Sequence, residues 1–327
     1  MGDILLKIED LAVSYTTDNE KVRAVNGINI IVEKGETVGL VGETGAGKTT
    51  IAKAILRLIP TPPGKIERGR IIFEDKDLLK ISEHEIRKVR GNEISMIFQD
   101  PMTSLNPVIT VGNQIAEGIR IHQKVSKAKA EILAGEMLEM VGIPLERFNE
   151  YPHQFSGGMK QRVVIAIALA CNPKLLIADE PTTALDVTIQ AQVLELMLKL
   201  KEDFNTAMIM ITHDLGVVAE ICDKVAIVYA GQIVEFGTVK EVFKNTAHPY
   251  TKGLFAAIPS ISGQKLKRLH HIPGLMPDPT NLPLGCQFSP RCNCKLECCD
   301  ELPSEDIYIN ENHFLKCHLY AQKQKEG

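Results

Sequence analysis

The chain has 327 residues, a length that indicates one large domain and a smaller one, or two domains of similar size. Hydrophobic residues make up 44% and charged residues 24%, as in a globular protein. These proportions exclude a disordered, collagen-like or coiled-coil protein. Lys and Arg number 37 and Asp and Glu 41, so the formal net charge is -4, which argues against a basic nucleic-acid-binding protein.

The sequence has no segment that resembles a membrane span. Its longest wholly apolar run covers residues 163–171, whereas a transmembrane helix needs ~20 apolar residues. The first residues lack the charged and apolar regions of a signal peptide. We therefore expect a protein that stays in the cytoplasm, with at most a peripheral role at a membrane.

The first hundred residues read as strands interrupted by two helices. Residues 4–41 alternate in the manner of strands and end in a buried run at 37–41. A glycine-rich loop follows, and a helical pattern then continues to Ile59, where a proline-rich stretch stops it. Residues 65–98 return to strand-like segments with one short helix.

The rest of the chain changes character twice. Residues 108–150 carry apolar residues at helical spacing, among them Ile115, Ile119, Ile132 and Met140, and this predicts a helical insert. From residue 157 helices and strands alternate, which predicts a parallel sheet with helices on its faces. We expect helices over 158–171, 187–203 and 215–222, and strands over 174–178, 207–211 and 224–236. After about residue 240 the pattern fades into a tail rich in Pro, Gly and Cys.

The glycine-rich loop predicts phosphate binding. The spacing Gly42-x4-Gly47-Lys48-Thr49 lies between a buried strand and a helix, the context that a phosphate-binding loop requires. Its backbone N–H groups and the helix N-terminus favour an anion. Lys48 would reach the β- and γ-phosphates, and the Thr49 hydroxyl would bind Mg²⁺.

A second apolar strand ends in two carboxylates, Asp179 and Glu180. Neighbouring residues of a strand point in different directions, so one acid can face Mg²⁺ and the other a water molecule. We expect Asp179 to hold the metal through its waters and Glu180 to act as the general base.

A Ser-Gly-Gly turn, Ser156-Gly157-Gly158, opens a predicted helix without a phosphate loop of its own. On its own such a turn is a helix cap. Beside a phosphate loop in the same chain it predicts a second anion site, which suggests that one half-site completes the other across a dimer.

Together these motifs resemble the ATP-binding subunits of ABC transporters over residues 4–240. The resemblance is carried, in the expected order, by Tyr15; by Gly42, Thr44, Gly45, Ala46, Gly47, Lys48, Thr49 and Thr50; by Gln99; by Ser156, Gly157 and Gly158; by Asp179 and Glu180; by Ala184, Leu185 and Asp186; and by His213. Phe155 and Met159 depart from the commoner Leu and Gln around the Ser-Gly-Gly turn.

The resemblance implies a role for each of these positions. Tyr15 would stack on adenine, and residues 42–50 would cradle the phosphates. Thr49, Gln99 and Asp179 would hold Mg²⁺. The catalytic residues would be Lys48, Gln99, Glu180 and His213, while Ser156 and Gly158 would contact the ATP held by the opposite subunit.

A narrower resemblance is to the ATPases of dipeptide and oligopeptide importers, a pattern that nickel importers share. It rests on residues 99–107, on His248-Pro249-Tyr250-Thr251-Lys252, and on Ile272-Pro273-Gly274. It implies the ATP-hydrolysing motor of a peptide importer. The alternatives are a nickel importer motor and a soluble ABC ATPase without a transport role.

The cysteines are unevenly placed. Cys171 and Cys222 lie alone in apolar stretches, whereas six others lie within residues 286–317. In a reducing compartment such a cluster favours a metal site over disulfides. The resemblance implies a [4Fe–4S] cluster on Cys286, Cys292, Cys299 and Cys317; a zinc site is the alternative, and Cys294 and Cys298 offer a competing set of ligands.

We therefore predict a P-loop α/β core with an N-terminal antiparallel β subdomain, an inserted helical subdomain around 100–157 and a Cys-rich C-terminal extension. The nucleotide-binding domain would span 1–240 and the extension 241–327. The resemblance implies a nucleotide-dependent dimer with a second ABC ATPase, either a paralogue or a second copy. It also implies two transmembrane permease subunits, an indirect extracytoplasmic peptide-binding protein, no nucleic acid, and a peripheral place on the cytoplasmic face of the cell membrane.

Overall fold

A computed structural model describes residues 3–17, 20–183, 185–257 and 272–326. The chain divides into two compact units. The first comprises Met1–Leu6, Ile31–Thr37 and Ile72–Ile211, and the second Lys7–Ile30, Val38–Ile71 and Thr212–Gly327. In the described ranges no helix has both the length and the apolar character needed to span a membrane.

The strands, in chain order, are β1 (Ile4–Thr17), β2 (Glu20–Glu33), β3 (Thr37–Val41), β4 (Gly64–Phe73), β5 (Lys76–Asp77), β6 (Ile94–Ile97), β7 (Leu175–Asp179), β8 (Ala207–Thr212), β9 (Lys224–Tyr229), β10 (Gln232–Thr238), β11 (Ile307–Asn310) and β12 (His313–Leu315).

The α-helices, in chain order, are α1 (Lys48–Ile55), α2 (Glu83–Val89), α3 (Pro101–Ser104), α4 (Val111–Gln123), α5 (Lys127–Met140), α6 (Gly157–Leu169), α7 (Val187–Asp203), α8 (Leu215–Ile221), α9 (Val239–Lys244), α10 (Pro249–Ala256), α11 (Cys298–Glu301) and α12 (His318–Glu326).

The first unit holds the parallel strands β8, β7 and β6 in that order. Leu175 lies opposite Ile94 on one side and Ala207 on the other. Every residue of β7 and β8 is buried, as expected for strands covered on both faces. In the same unit the end of β4 pairs antiparallel with β5.

The second unit holds the antiparallel strands β2, β1 and β4, and separately the strands β11, β12, β10, β9 and β3 in that order. β3 and β9 are parallel, with Val38 opposite Lys224. The predicted combination of a parallel α/β sheet and an antiparallel β layer is therefore confirmed.

Polar side chains fix where several helices begin. Each accepts a hydrogen bond from a backbone N–H of the first turn, which would otherwise have no partner. These N-caps are Ser82 of α2, Ser126 of α5, Ser156 of α6, Asp186 of α7, Asp214 of α8, Thr238 of α9 and His248 of α10.

The structure differs from the sequence-based prediction in three places. α1 ends at Ile55 instead of Ile59, because Leu56 leaves helical geometry and Arg57 adopts φ +51°. On α5, Ile132 and Met140 are exposed, so the predicted apolar face is narrower than expected. The tail after residue 240 contributes β12 to the sheet edge at β10. A strand of three residues carries no periodic signal that a sequence could reveal.

The helices α3, α4 and α5 do occupy the range predicted for a helical insert. Its independence as a subdomain, and the division of the chain at residue 240, stay predictions.

Candidate nucleotide site

The phosphate-binding loop lies in the second unit, between β3 and α1. The buried Lys48 side chain turns back into the loop, where its Nζ donates to the carbonyl oxygens of Gly42 at 2.7 Å and Glu43 at 3.0 Å. Thr44 and Gly45 are exposed at the tip of the loop, while Ala46 is buried beneath it. The loop thus holds the ammonium group of Lys48 between two of its own carbonyl groups, and the predicted contact of Lys48 with phosphates stays a prediction.

Three glycines of this loop are required by its geometry. Gly45 and Gly47 have φ values of +83° and +103°, in the left-handed region that favours glycine. A Cβ added at Gly42 would collide with the carbonyl oxygen of Val228. The spacing of the glycines therefore reflects both backbone conformation and the close approach of a neighbouring strand.

Tyr15, the predicted adenine-stacking residue, lies near the end of β1 and is half-buried. Its hydroxyl lies 3.5 Å from the Thr50 hydroxyl on α1. This contact brings the predicted base-binding residue next to the helix that follows the phosphate loop. Thr49 is half-buried at the start of the same helix.

The acidic strand end lies in the first unit. Asp179 is the last residue of β7 and is 2% exposed. Glu180 leaves the strand with φ +48°, and its N–H donates to the carbonyl oxygen of Ile211 at 2.9 Å. A non-glycine residue in the left-handed region is strained and recurs at functional sites. The change of backbone direction therefore comes directly after Asp179, at Glu180, the one of the two predicted acids that leaves the strand.

The Glu180 carboxylate is held by two side chains. Gln99 donates from Nε2 to Glu180 Oε2 at 3.0 Å, and the Thr183 hydroxyl donates to the same oxygen at 3.1 Å. The structure thus brings together Gln99 and Glu180, which lie 81 positions apart in sequence. The sequence analysis missed Thr183, whose only signal is its place three residues after the acid.

The Ser-Gly-Gly turn opens α6 in the first unit. Ser156 Oγ accepts a hydrogen bond from the Met159 N–H at 3.4 Å, and both Ser156 and Gly157 are exposed. A Cβ at Gly158 would lie 2.6 Å from the Ile189 side chain. The first residues of α6 are therefore exposed, and the second anion site expected there stays a prediction.

Arg147 contacts the two residues beside this turn, Phe155 and Met159, that depart from the commoner Leu and Gln. Its guanidinium lies over the Phe155 ring at 4.2 Å from the centroid, and its Nη1 lies 3.1 Å from Met159 Sδ. An aromatic face and a thioether sulfur both suit a cation. Phe155 and Met159 thus both contact Arg147 next to the turn, and neither is one of the Ser-Gly-Gly residues themselves.

His213 follows β8 and is exposed in the second unit. Next to it, Asp214 caps α8 by accepting from the Gly216 N–H at 2.8 Å, and the Asp214 N–H donates to the Thr212 hydroxyl at 3.0 Å. These contacts fix the backbone on both sides of His213. Ala184, the first residue of the predicted Ala184-Leu185-Asp186 motif, lies outside the described residues.

The four predicted cluster cysteines influence one another's ionisation. Burial raises the pKa of the Cys286 thiol to about 11, and the nearby thiols of Cys299, Cys317 and Cys292 add to that rise. The Cys286 N–H also donates to the Cys299 carbonyl oxygen at 2.8 Å. However, within the described part of the chain no group of three or more His, Cys, Asp or Glu side chains is arranged to hold a metal ion. The described residues therefore do not support the predicted [4Fe–4S] cluster or a zinc ion.

Two family models match the chain. Residues 25–183 match the ABC transporter family, and residues 234–299 match the C-terminal region of oligopeptide/dipeptide transporters. The chain is also 26% identical to an ATP-binding cassette solved as a dimer in a post-hydrolysis state with ADP and Pi. That match has a TM-score of 0.65 and covers 72% of this chain and 99% of the other.

Relatives with assigned names match nearly the whole chain. The oligopeptide transport ATP-binding protein OppD of Bacillus subtilis (strain 168) is 53% identical, over 96% of this chain and 88% of the relative. AppD, an oligopeptide transport ATP-binding protein of the same strain, is 49% identical over 98% of both chains. Their names fit the peptide-importer interpretation better than the nickel or non-transport alternatives. The chain belongs to the ATP-binding subunits of ABC transporters, in their oligopeptide/dipeptide branch.

Proposed function

We propose that this protein is the ATP-hydrolysing motor of an importer for dipeptides or oligopeptides. The observation that carries the proposal is the Glu180 carboxylate, which a left-handed backbone turns out of β7 and which Gln99 and Thr183 hold by hydrogen bonds. A general base needs such fixed orientation beside the water that it activates. The names of the relatives support peptides as the transported solute.

The residues predicted for Mg²⁺ have suitable chemistry. Thr49 offers a hydroxyl, Asp179 a carboxylate and Gln99 an amide oxygen, and hard oxygen donors of this kind are the ligands that Mg²⁺ accepts. When bound, Mg²⁺ neutralises charge on the β- and γ-phosphates.

The remaining roles belong to the chain itself. Tyr15 stacks on adenine, and residues 42–50 cradle the phosphates. Lys48 exchanges its two carbonyl partners for phosphate oxygens. Glu180 orients and deprotonates the attacking water, and His213 contacts the γ-phosphate.

A second subunit completes each site. The exposed N-terminus of α6, with Ser156, Gly157 and Gly158, binds the γ-phosphate of the ATP held by the opposite ATPase, which is a paralogue or a second copy. Bound ATP then favours the closed dimer, because its γ-phosphate contacts α6 of the opposite subunit only in that state. Hydrolysis removes this contact. The solved dimer that the chain resembles supports this arrangement.

The motor drives a complex in the membrane. Two transmembrane permeases receive the motion at the cytoplasmic face of the cell membrane, where this chain is peripheral, through the loop at residues 99–107 and the helical insert. A peptide-binding protein delivers the solute from the other side. The names of OppD and AppD, oligopeptide transport ATP-binding proteins, support a role in transport.

The Glu180→Gln variant tests the catalytic assignment. It should bind ATP like the unmodified protein while hydrolysis slows on the order of 10²–10⁴-fold, because the amide cannot accept the proton. ATP turnover and equilibrium ATP binding are measured on the same preparation. Glu195→Gln on the exposed face of α7 is the control and should keep normal turnover. Near-normal turnover of Glu180→Gln would refute the assignment.

We also propose that Cys286, Cys292, Cys299 and Cys317 bind a [4Fe–4S] cluster, with zinc as the alternative. The proposal is supported by the spacing of these cysteines in the sequence, and it requires the thiols to move closer together than the structure places them. Assays of iron, acid-labile sulfide and zinc in anaerobically purified protein decide it. Protein that contains none of these in stoichiometric amounts would eliminate both metals.

A further inference from the structure

An ion pair between a buried arginine and a half-buried glutamate joins the C-terminal extension to the phosphate loop within the second unit. Arg291 Nη1 lies 3.0 and 3.1 Å from the two carboxylate oxygens of Glu43, and its side chain is only 6% exposed. Glu43 is the residue directly after Gly42, so it belongs to the loop itself. The two partners are separated by 248 positions in sequence.

The Arg291 guanidinium is fixed by groups other than Glu43. Its Nε donates to the Pro273 carbonyl oxygen at 2.9 Å, and its Nη2 lies 3.4 Å from that of Ile272. The Tyr229 hydroxyl lies 3.4 Å from Nη1. A guanidinium held in this way is already positioned for its carboxylate.

Tyr250 holds the backbone of the same loop residue. Its hydroxyl accepts a hydrogen bond from the Glu43 N–H at 3.1 Å. The Tyr250 ring is fully buried and packs against Tyr229, with centroids 4.6 Å apart, and against Phe288, with centroids 5.4 Å apart. The extension therefore fixes both the side chain and the backbone of Glu43.

The negative charge of Glu43 links its ion pair with Arg291 to phosphate binding. A carboxylate in a loop that binds phosphates opposes the anion, unless a cation compensates it. Because Arg291 is the cation that meets both of its carboxylate oxygens, the negative charge of Glu43 is neutralised within the loop. Removing Arg291 would leave that charge uncompensated next to Gly42, in the loop that would bind the phosphates.

We infer that Arg291, aided by Tyr250, is a positioning residue for nucleotide binding that acts through Glu43. The inference rests on the proposed function, since it assigns regulation to the same ATP site. It makes the affinity for ATP depend on whether the extension is docked. By linkage, bound ATP stabilises the docked extension to the same degree.

Equilibrium binding of MgATP to the full-length chain tests the inference through a double-mutant cycle. Arg291→Met should weaken ATP binding about tenfold, the order of effect expected for one uncompensated charge near the phosphates. In the Glu43→Gln background the same substitution should change the affinity less than about twofold. Arg291→Lys keeps the charge but loses the planar guanidinium, so it should weaken ATP binding by about threefold, less than Arg291→Met does.

The inference would be overturned if Arg291→Met lowered the affinity for ATP equally with Glu43 present and in the Glu43→Gln background. A purely structural arginine would have that effect, because it would act regardless of the charge on Glu43. An Arg291→Met variant with normal affinity would overturn it too. If Arg291→Met does not fold, Arg291→Lys and Tyr250→Phe carry the test. Tyr250→Phe removes only the acceptor for the Glu43 N–H and should weaken binding about threefold; normal affinity there would contradict the role of Tyr250.

Lys48→Ala separates this inference from the proposed function. If the unmodified protein binds MgATP no better than Lys48→Ala, the proposed function fails before Arg291 is in question. If the unmodified protein binds MgATP, Lys48→Ala does not, and the cycle shows no coupling between Arg291 and Glu43, only the inference on Arg291 fails.

Discussion

At the residue scale, the backbone around Gly47 decides whether the phosphate loop can form. Gly47 has φ +103°, and a Cβ there would collide with the carbonyl oxygen of Ala24. Backbone atoms cannot rotate away as the end of a side chain can, so a larger residue must displace β2 or distort the loop. Gly118 of α4 is the opposite case, since a Cβ there would meet open space.

This contrast yields a matched pair of variants. Gly47→Ala should lower the free energy of unfolding by about 2 kcal/mol or more, whereas Gly118→Ala should raise it by up to about 1 kcal/mol because alanine is the better helix former. Urea unfolding of both variants gives the comparison. If the two substitutions had equal effects, the geometry assigned to the phosphate loop would be wrong.

The sequence predicts candidate reactive residues at this scale because their chemistry is encoded locally. Lys48, Asp179 and Glu180 follow buried strands and carry the groups that phosphate and Mg²⁺ require. Arg291 shows no such local signal, because its partner Glu43 is reached only through folding.

At the element scale, a buried carboxylate connects the tail to the sheet. Glu235 of β10 accepts hydrogen bonds from the Ala247 N–H at 2.8 Å and the His248 N–H at 3.1 Å, and it lies 2.9 Å from His313 Nε2 on β12. Burial opposes ionisation of Glu235, but these hydrogen bonds outweigh it and hold the pKa of the carboxyl below its usual value. The network explains why a three-residue strand can pair stably with β10.

His248 belongs to the same buried region and makes it sensitive to acid. Its Nδ1 accepts the Tyr250 N–H at 3.1 Å and so caps α10. Burial lowers the pKa of His248 from 6.5 to about 4. Between these two values the unfolded chain binds a proton that the folded chain does not, so stability is fully present at pH 7 and falls as the pH decreases toward 4.

The His248→Asn variant isolates this effect, because asparagine can still cap the helix and does not titrate. From pH 7 to pH 5 the unmodified protein should lose about 2 kcal/mol more unfolding free energy than the variant. Urea titrations at the two pH values measure the difference. His84→Asn, at an exposed position of α2, should behave like the unmodified protein. A His248→Asn variant that loses as much unfolding free energy from pH 7 to pH 5 as the unmodified protein would contradict the role of His248.

At the scale of the whole molecule, the residues proposed for one reaction come from distant parts of the chain. Gln99, Asp179, Glu180 and Ser156 belong to the first unit, whereas the phosphate loop, Tyr15 and His213 belong to the second. Ser156 in addition serves the opposite subunit in the proposed mechanism. In the proposed mechanism the complete motor is therefore an assembly of more than one subunit.

A pull-down of tagged Glu180→Gln protein with ATP, from its own gently solubilised membranes, tests that assembly. We expect two multi-span permeases, a second ATPase subunit and a peptide-binding protein, because slow hydrolysis keeps the ATP-bound complex closed. Mass spectrometry identifies the recovered proteins, and a Glu180→Gln/Lys48→Ala variant should recover less of the second ATPase. Recovery of only ribosomal or DNA-repair proteins would remove transport from consideration.

The alternating α/β fold, the glycine-rich loop, the acidic end of β7 and the cap of α6 follow from the sequence alone. Each depends on a short run of residues whose backbone geometry and chemistry are local. Folding is needed to show that Gln99 holds Glu180, that β12 pairs with β10, and that Arg291 meets Glu43. Those contacts join residues whose separation in sequence follows no period, and they exist only because buried charges and backbone groups must find partners when the chain folds.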